Sequence, residues 1–341
     1  MPKYKYQPDF SELVRVLNKQ RPSRPVLFEL FMNPVVYELM AEHKPDDDTE
    51  EAYQRMMIDG FHGGGYDYTS IGASGFGFKA GHRESQKTTS LNDGFVITDE
   101  KSFDEYKWPD PESYDYSRLK TLGEYMPDGM KFMVLGPSGV LENTIALVGY
   151  ENLCFMIADE PQLAERVFTE VGSRILKYYQ IAVEYDSVGM LMVNDDWGFN
   201  TQTFLSPDDM RKYVFPWHAK VVEAAHKLNK PAVLHSCGNA GQIMEDIIEK
   251  IKFNGKHSYE DVIMPVEKNY EIWGKRIGIL GGIDVDMLTR STPDLIRKRS
   301  DAMLDLADEF GSYALGSGNS VPHYIPYENY RAMIDTALAR R

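Results

Sequence analysis

The chain has 341 residues, 43% of them apolar, and carries 37 Lys and Arg against 52 Asp and Glu, a formal net charge of −15. That balance argues against a nucleic-acid backbone or an anionic membrane as partner, and the length suits one large α/β domain or two ordinary ones. The start, MPKYKYQPDFSEL, has no apolar signal core, no stretch reaches the ~18 apolar residues of a membrane span, and two cysteines, Cys154 and Cys237, suit a reducing compartment; the protein is expected to be soluble and cytoplasmic.

Asp9 to Gln20 has apolar residues at helical spacing behind an Asp cap and reads as a leading helix within residues 1–24. Pro25 to Leu30 reads as the first buried strand, Pro34 to His43 and Thr49 to Gly60 as helices, and Tyr66 to Ile71 as the second strand. Residues 72–130 are too long for a plain loop and are expected to form a flap beside a pocket. Within the flap, Lys87 to Leu91 and Phe95 to Thr98 flank Asn92-Asp93-Gly94 as a hairpin, and Trp108 to Leu119 bridges into a helix. Lys131 to Pro137 is the third strand, followed by helices over Leu141 to Met156 and Pro161 to Tyr185. Gly189 to Val193 is the fourth strand and runs out into Asn194-Asp195-Asp196. Ser206-Pro207-Asp208-Asp209 is a helix start, and the helix is expected to reach Leu228 with a kink at Pro216. Pro231 to Asn239 (PAVLHSCGN) is the fifth strand and its exit, and Ile243 to Lys252 is helix. The sixth strand is Lys256 to Tyr259, the seventh Arg276 to Gly281, and the eighth begins at Tyr313 to Leu315. Thr292-Pro293-Asp294 starts one helix, and Tyr327 to Arg341 is the last.

Eight short buried strands alternating with helices predict a single α/β domain over residues 1–341, a (β/α)8 TIM barrel with extra N-terminal helices and a flap after strand two. An open doubly wound sheet is the alternative, but no G-x-G-x-x-G follows an early strand. A barrel gathers its site at the C-terminal mouths of its strands. There the chain places Glu29 and Asn33, Asn194, Asp195 and Asp196, His235 and Cys237, His257 and Glu260, Gly282 and Asp284, and Ser317 and Asn319. His235 and Cys237 stand two apart, so on a strand they share a face, and imidazole with thiolate is a zinc-type pair. Each group has a structural reading as well: Asp195 and Asp196 as caps, His257 as a bonded turn residue, Glu260 as a helix-start acid, and the glycines of GILGGID and GSGN as tight turns. Phe28, Phe31, Met32, Tyr66, Tyr68, Phe76, Phe78 and Phe199 are expected to line a site for an aromatic or large planar ligand.

Three stretches carry a resemblance: NDDWGFNTQTFLSPDDMRKYVFPWHAKVVEAAHKLNKPAVLHSCGN, GPSGVLENTIALVGYENLCFMIADEP and GILGGIDVDMLTRSTPDLI. They are similar to the uroporphyrinogen decarboxylase superfamily, most strongly from Val134 onward. The resemblance implies a (β/α)8 barrel and one of two activities. True decarboxylases hold substrate carboxylates with an arginine-rich stretch after the first strand; here that place reads Phe28-Glu29-Leu30-Phe31-Met32-Asn33-Pro34, without arginine. The other branch holds methyltransferases that work with a separate corrinoid-binding protein, many of them zinc-dependent, and carries H-x-C after strand five, as His235-Ser236-Cys237 does here. A second Cys found after strand eight in several members is Ser317 in this chain. The resemblance thus implies zinc on His235, Cys237 and Glu260, with Asn194, Asp195, Asp196 and Glu29 as catalytic candidates and Gly282, Asp284 and Asn319 on the cofactor side. It also implies a small-molecule methyl donor, with an aryl methyl ether favoured by the aromatic residues. The alternatives are a uroporphyrinogen-type decarboxylase drawing on Lys79 and Arg83, a methylcobamide:thiol methyltransferase, and a tetrapyrrole- or corrinoid-binding protein.

Overall fold

The structure, a computed structural model, describes residues 6–43, 47–81 and 91–341. Asp9 accepts the Ser11 N–H at 2.9 Å and starts α1 (Phe10–Leu17), as an acid does for orphan first-turn donors. Asn33 and Thr49 cap α2 (Pro34–Met40) and α3 (Glu50–Gly64) in the same way. The first half continues with β1 (Tyr68–Gly72), α4 (Glu100–Glu105), α5 (Arg118–Tyr125), β2 (Lys131–Leu135), α6 (Val140–Val148), α7 (Tyr150–Asp159), α8 (Pro161–Val183) and β3 (Val188–Asn194). The second half holds α9 (Pro207–Asp209), α10 (Phe215–Lys227), β4 (Ala232–His235), β5 (Gly255–His257), α11 (Val266–Trp273), β6 (Gly278–Leu280), α12 (Val285–Arg290), α13 (Pro293–Ala307), β7 (Tyr313–Ala314) and α14 (Tyr327–Leu338).

The strands β1 to β7 pair parallel in chain order in one curled seven-stranded sheet with helices around it, an α/β fold of TIM-barrel type. Parallel neighbours need crossovers and are buried on both faces, which is why β3 reads VGMLMVN and is buried from Val188 through Val193. One expected strand is corrected. Pro25–Leu30 makes only lone parallel bridges, Leu27 to Leu315 and, further on, Met32 to Val321. On its other side the Tyr68 phenol bridges to the Glu29 backbone, 2.6 Å from both its N–H and its carbonyl, and Ser70 Oγ donates to the Leu30 carbonyl. Side chains stitch this seam where a ladder was expected. The Phe28 carbonyl also passes so close to Gly316 that a Cβ there would lie 1.7 Å from it.

Helices differ from expectation where the backbone is forced. Leu141–Met156 is not one helix but α6 and α7, broken at Gly149 with φ 83°. The break leaves the Leu147 carbonyl open, and it accepts the N–H groups of Val96 and Ile97 at 2.7 and 2.9 Å. Pro216 is accommodated by a π-helical turn over Met210–Val214, which widens the ladder where proline has no N–H to give. The helix expected over Ile243–Lys252 is a 3₁₀ turn at Gly241–Ile243 and a π-helical stretch at Asp246–Ile251.

In the 72–130 stretch, residues 91–98 carry no strand, so the hairpin is not formed there; most of its first arm, like Arg83, lies outside the described residues. Among the described residues no helix is long and apolar enough to cross a membrane.

Candidate metal centre at the mouth of the sheet

The register of the parallel strands assembles the site. Asn194 pairs with His235 across β3 and β4, and His235 with His257 across β4 and β5. Equal steps past paired residues end side by side, so Asp196 meets Cys237. Its Oδ1 accepts the Cys237 N–H at 2.8 Å. Cys237 itself lies beyond the end of β4, and its sulfur sits 3.7 Å from His235 Nε2. Asp196 Oδ1 is 3.8 Å from the same nitrogen. One ligand atom each from Asp196, His235 and Cys237 lies within 4.8 Å of the others.

Hydrogen bonding fixes the imidazoles. His257 Nε2 is 3.3 Å from the Ser317 carbonyl, which only accepts, so that nitrogen carries the proton. Neutral His257 then accepts at Nδ1 from His235 Nδ1–H at 2.9 Å. His235 is left with a bare lone pair on Nε2, aimed at the sulfur and the carboxylate. Burial drives His235 down to about 4 and His257 well below the usual imidazole range, so both are neutral at pH 7. Two donors reach the sulfur, Asn319 Nδ2 at 3.1 Å and Ser258 Oγ at 3.6 Å. Burial, reinforced by Asp196, pushes the Cys237 thiol up to about 12. A lone pair, a thiol with two donors on its sulfur and a carboxylate fit a divalent cation, which would displace the thiol proton on binding.

The other expected site residues take different places. Asp195 is fully buried; its carboxylate accepts the Leu141 and Glu142 N–H groups at 3.0 and 2.9 Å and lies 2.8 Å from His218 Nε2. It caps α6 from a neighbouring loop and stays out of the cluster, so its catalytic assignment has no support in the geometry. Asn194 Oδ1 accepts the Gly136 N–H at 2.9 Å and ties two strand ends. Glu260 also stays outside: its Oε1 is 3.5 Å from the Gly238 nitrogen, and Asp196 supplies the carboxylate in its stead. Gly282, at φ 109°, packs where a Cβ would lie 2.3 Å from Val266, a backbone need and not a ligand contact. Asp284 caps α12 through the Asp286 N–H at 2.8 Å. Glu29 is buried against Ser317, with Ser317 N–H 2.8 Å from one carboxyl oxygen and Oγ 2.6 Å from the other. Asn319 alone of the cofactor-side set reaches the cluster.

The sequence places His257 at the strand mouths without a role and leaves three further contributors unread. His257 orients His235, and Ser258 donates to the sulfur. Lys256, lowered to about 8 by burial, donates to the Ser258 carbonyl at 2.7 Å beneath the site. Glu142 is pushed up to about 8 by burial and by the Asp195 and Asp196 carboxylates. Strand register, which single-sequence pattern does not carry, is the signal that places His257 beside His235.

A cleft of about 620 Å³ adjoins the cluster through Asn319 and is lined by Tyr259, Glu260, Asp284, Met287 and Tyr324. Of the expected aromatic wall, Phe28, Met32, Tyr66, Tyr68 and Phe76 are buried in the packing, while Phe31 and Phe199 are exposed.

Replacing His257 with Phe keeps a ring of similar size and removes both nitrogens. His235 then loses its tautomer lock, and affinity for zinc should fall about 10- to 100-fold with all three ligands in place. Competition with a chromogenic chelator reads this directly; unchanged affinity contradicts the assigned chain of hydrogen bonds.

No curated protein sequence matches the chain significantly. Among solved structures, a methyltransferase from Methanosarcina mazei is similar over 97% of this chain and 98% of its own, at 16% identity and a TM-score of 0.70, which establishes the shared fold. An intracellular xylanase from Thermoanaerobacterium saccharolyticum (12% identity, TM-score 0.41, 93% and 90% covered) and a β-L-arabinopyranosidase from Geobacillus stearothermophilus (12%, 0.43, 94% and 76%) are too distant in shape to carry an argument. The sequence pattern of the uroporphyrinogen decarboxylase (URO-D) family matches residues 133–339, from β2 through α14, a span that holds all three residues of the cluster. By that match the chain belongs to the URO-D family.

Proposed function

We propose that the chain is the methyl-donor-side methyltransferase of a corrinoid-dependent demethylase. It takes a methyl group from a methylated small molecule, an aryl methyl ether, and passes it to the cobalt of a corrinoid carried by a partner protein. The observation that carries this reading is the convergence of the bare His235 Nε2, the Cys237 sulfur and the Asp196 carboxylate at the mouth of the sheet. When bound there, zinc supplies Lewis acidity to the oxygen of the donor. The protein side chains do the remaining work. His257 holds His235 in its ligating tautomer, and Asn319 and Ser258 hold the sulfur. The buried Lys256 offsets the negative charge of the sulfur and carboxylate above it. His235 Nε2, 3.7 Å from the sulfur, is an acceptor for the thiol proton. One thiolate in place of two keeps a cation electrophilic, which favours activating a donor over holding an acceptor thiol. The C–O bond would break with its electron pair on oxygen, and the reduced cobalt(I) of the partner's corrinoid would supply the electron pair of the new bond to the methyl carbon. The similar fold of the Methanosarcina mazei methyltransferase agrees with this reading.

Decarboxylation of a polycarboxylate has less support. The lining of the adjoining cleft holds Glu260, Asp261, Asp284 and Asp286 and no lysine or arginine among the described residues. Such a wall repels the substrate.

The test is incubation of the zinc-loaded chain with a panel of methoxybenzenes and reduced cobalamin, followed by absorbance. Methylcobalamin should form at least 100-fold faster than without protein. No methylated corrinoid with any donor contradicts the ether reading, and decarboxylation of uroporphyrinogen would support the rival.

A further inference from the structure

We propose that Glu29 is a neutral carboxylic acid acting as a positioning residue: its proton locks the Ser317–Asn319 turn, and that turn aims Asn319 at the Cys237 sulfur and His257 at His235. The inference is a count of hydrogens. Ser317 Oγ lies 2.6 Å from Glu29 Oε2 and 2.6 Å from the Asn319 carbonyl oxygen. The carbonyl only accepts, and a serine hydroxyl has one proton. With an ionised Glu29, one of these two contacts brings acceptors together with no proton between them. A proton on Oε2 makes both contacts hydrogen bonds, with Oε2–H donating to Oγ and Oγ–H donating to the Asn319 carbonyl. Oε1 meanwhile accepts the Ser317 N–H at 2.8 Å.

The surroundings agree. Glu29 is fully buried, and among the described residues no basic side chain forms an ion pair with it. The titratable groups that face it are phenols: Tyr37 from α2, Tyr66 and Tyr68 at and before β1, Tyr313 from β7 and Tyr330 from α14. Each is itself raised by burial and stays neutral. Loss of water therefore acts unopposed by any cation and lifts Glu29 to about 8, although the two Ser317 donors pull the other way.

Ser317 passes this order on. Its carbonyl accepts from the Gly282 N–H at 3.0 Å and from His257 Nε2 at 3.3 Å. Three residues later the Ser320 N–H occupies Asn319 Oδ1 at 2.8 Å, which leaves the Asn319 amide hydrogens for the sulfur at 3.1 Å. Two of the three supports of the cluster, His257 and Asn319, thus descend from one buried acid. The statement about Glu29 stands whether or not the cluster moves methyl groups.

Glu29→Gln tests it, because an amide donates to Oγ and accepts from Ser317 N–H as a neutral acid does. The infrared spectrum of the metal-free wild type at pH 6.5 should show a protonated-carboxyl carbonyl band that Glu29→Gln removes and Ser317→Ala shifts. The folded chain keeps the Glu29 proton up to about pH 8, while the unfolded chain loses it near the ordinary value of about 4.3. The stability it contributes is therefore complete below the lower value and declines as pH rises to the upper one. Urea midpoints should fall over that window in the wild type and be flatter in Glu29→Gln. In a Cys154→Ser background, Glu29→Gln should keep the wild-type reactivity of Cys237 toward a thiol reagent, and Glu29→Leu should change it about tenfold. A wild type with no such band, or with the same pH slope as Glu29→Gln, overturns the proposal. Should Glu29→Gln fail to fold, the band and its shift in Ser317→Ala decide alone. Absence of zinc or of methyl transfer touches none of these readouts.

Discussion

His235→Ala and Cys237→Ala should each leave the purified chain without zinc, where the wild type should hold about one ion, and each should lower methyl transfer at least 100-fold. Removing the imidazole takes away the one lone pair that the His257–Ser317 chain has oriented. Removing the sulfur takes away the only thiol of the cluster and strands the Asn319 and Ser258 donors. With two ligands left, the ion has no closed set, and water competes for every position. Because outer hydrogen-bond partners alone are worth about 10- to 100-fold, loss of a direct ligand sits above that range. Cys237→Ser should behave like Cys237→Ala, since a hydroxyl does not ionise as a thiol does. Glu260→Gln, whose carboxylate stays outside the cluster, should keep its zinc. Metal analysis after dialysis, with circular dichroism to confirm folding, separates these outcomes. Zinc retained in both Ala variants contradicts the site.

Asp195→Ala, one residue from a ligand, should instead act on folding, and strongly. Its carboxylate satisfies two first-turn donors of α6 and the fully buried His218 at once. Gly139 packs so tightly against it that a Cβ there would lie 2.0 Å from the Asp195 side chain, so the position is enclosed. Truncation leaves a buried imidazole without its partner and two helix donors unmet. Breaking a buried pair of this kind costs about 3–5 kcal/mol. Asp195→Asn keeps the shape and an acceptor oxygen and should cost about 1–3 kcal/mol. Urea unfolding of the metal-free protein measures both. The folded fraction of Asp195→Asn should bind zinc as the wild type does. A stable Asp195→Ala variant that lacks activity would return Asp195 to the catalytic list.

The contrast between Asp195 and Asp196 shows what a sequence carries and what it does not. Helix starts are local chemistry, so Asp9, Thr49, Ser206 and Thr292 mark them correctly in the one-dimensional string. Buried strands after the first are short apolar runs bounded by turn residues, and β1 to β7 fall within a residue or two of where pattern puts them. Pro25–Leu30 has the same pattern, but the bridging Tyr68 phenol and the near approach to Gly316 are long-range facts. The H-x-C pair at His235 and Cys237 was legible from residue type and spacing. Its third partner was not: the resemblance implies Glu260, and only strand register brings Asp196 beside Cys237. Asn194 lies opposite His235; one step on, Asp195 turns back into the helix layer, and two steps on, Asp196 meets Cys237. His257 looked like an ordinary turn residue for the same reason, since only its pairing with His235 reveals the shared proton. The aromatic count misled in the other direction, because Phe28, Tyr66, Tyr68 and Phe76 serve the interior and only a few rings reach solvent.

Zinc-edge X-ray absorption of the loaded wild-type chain tests most directly the bonds on which the proposed methyl transfer depends. One sulfur, one imidazole nitrogen and oxygen ligands are predicted, with the sulfur shell vanishing in Cys237→Ser if any metal remains. A bound ion surrounded by oxygen and nitrogen alone, or a chain that takes up no zinc, contradicts the account.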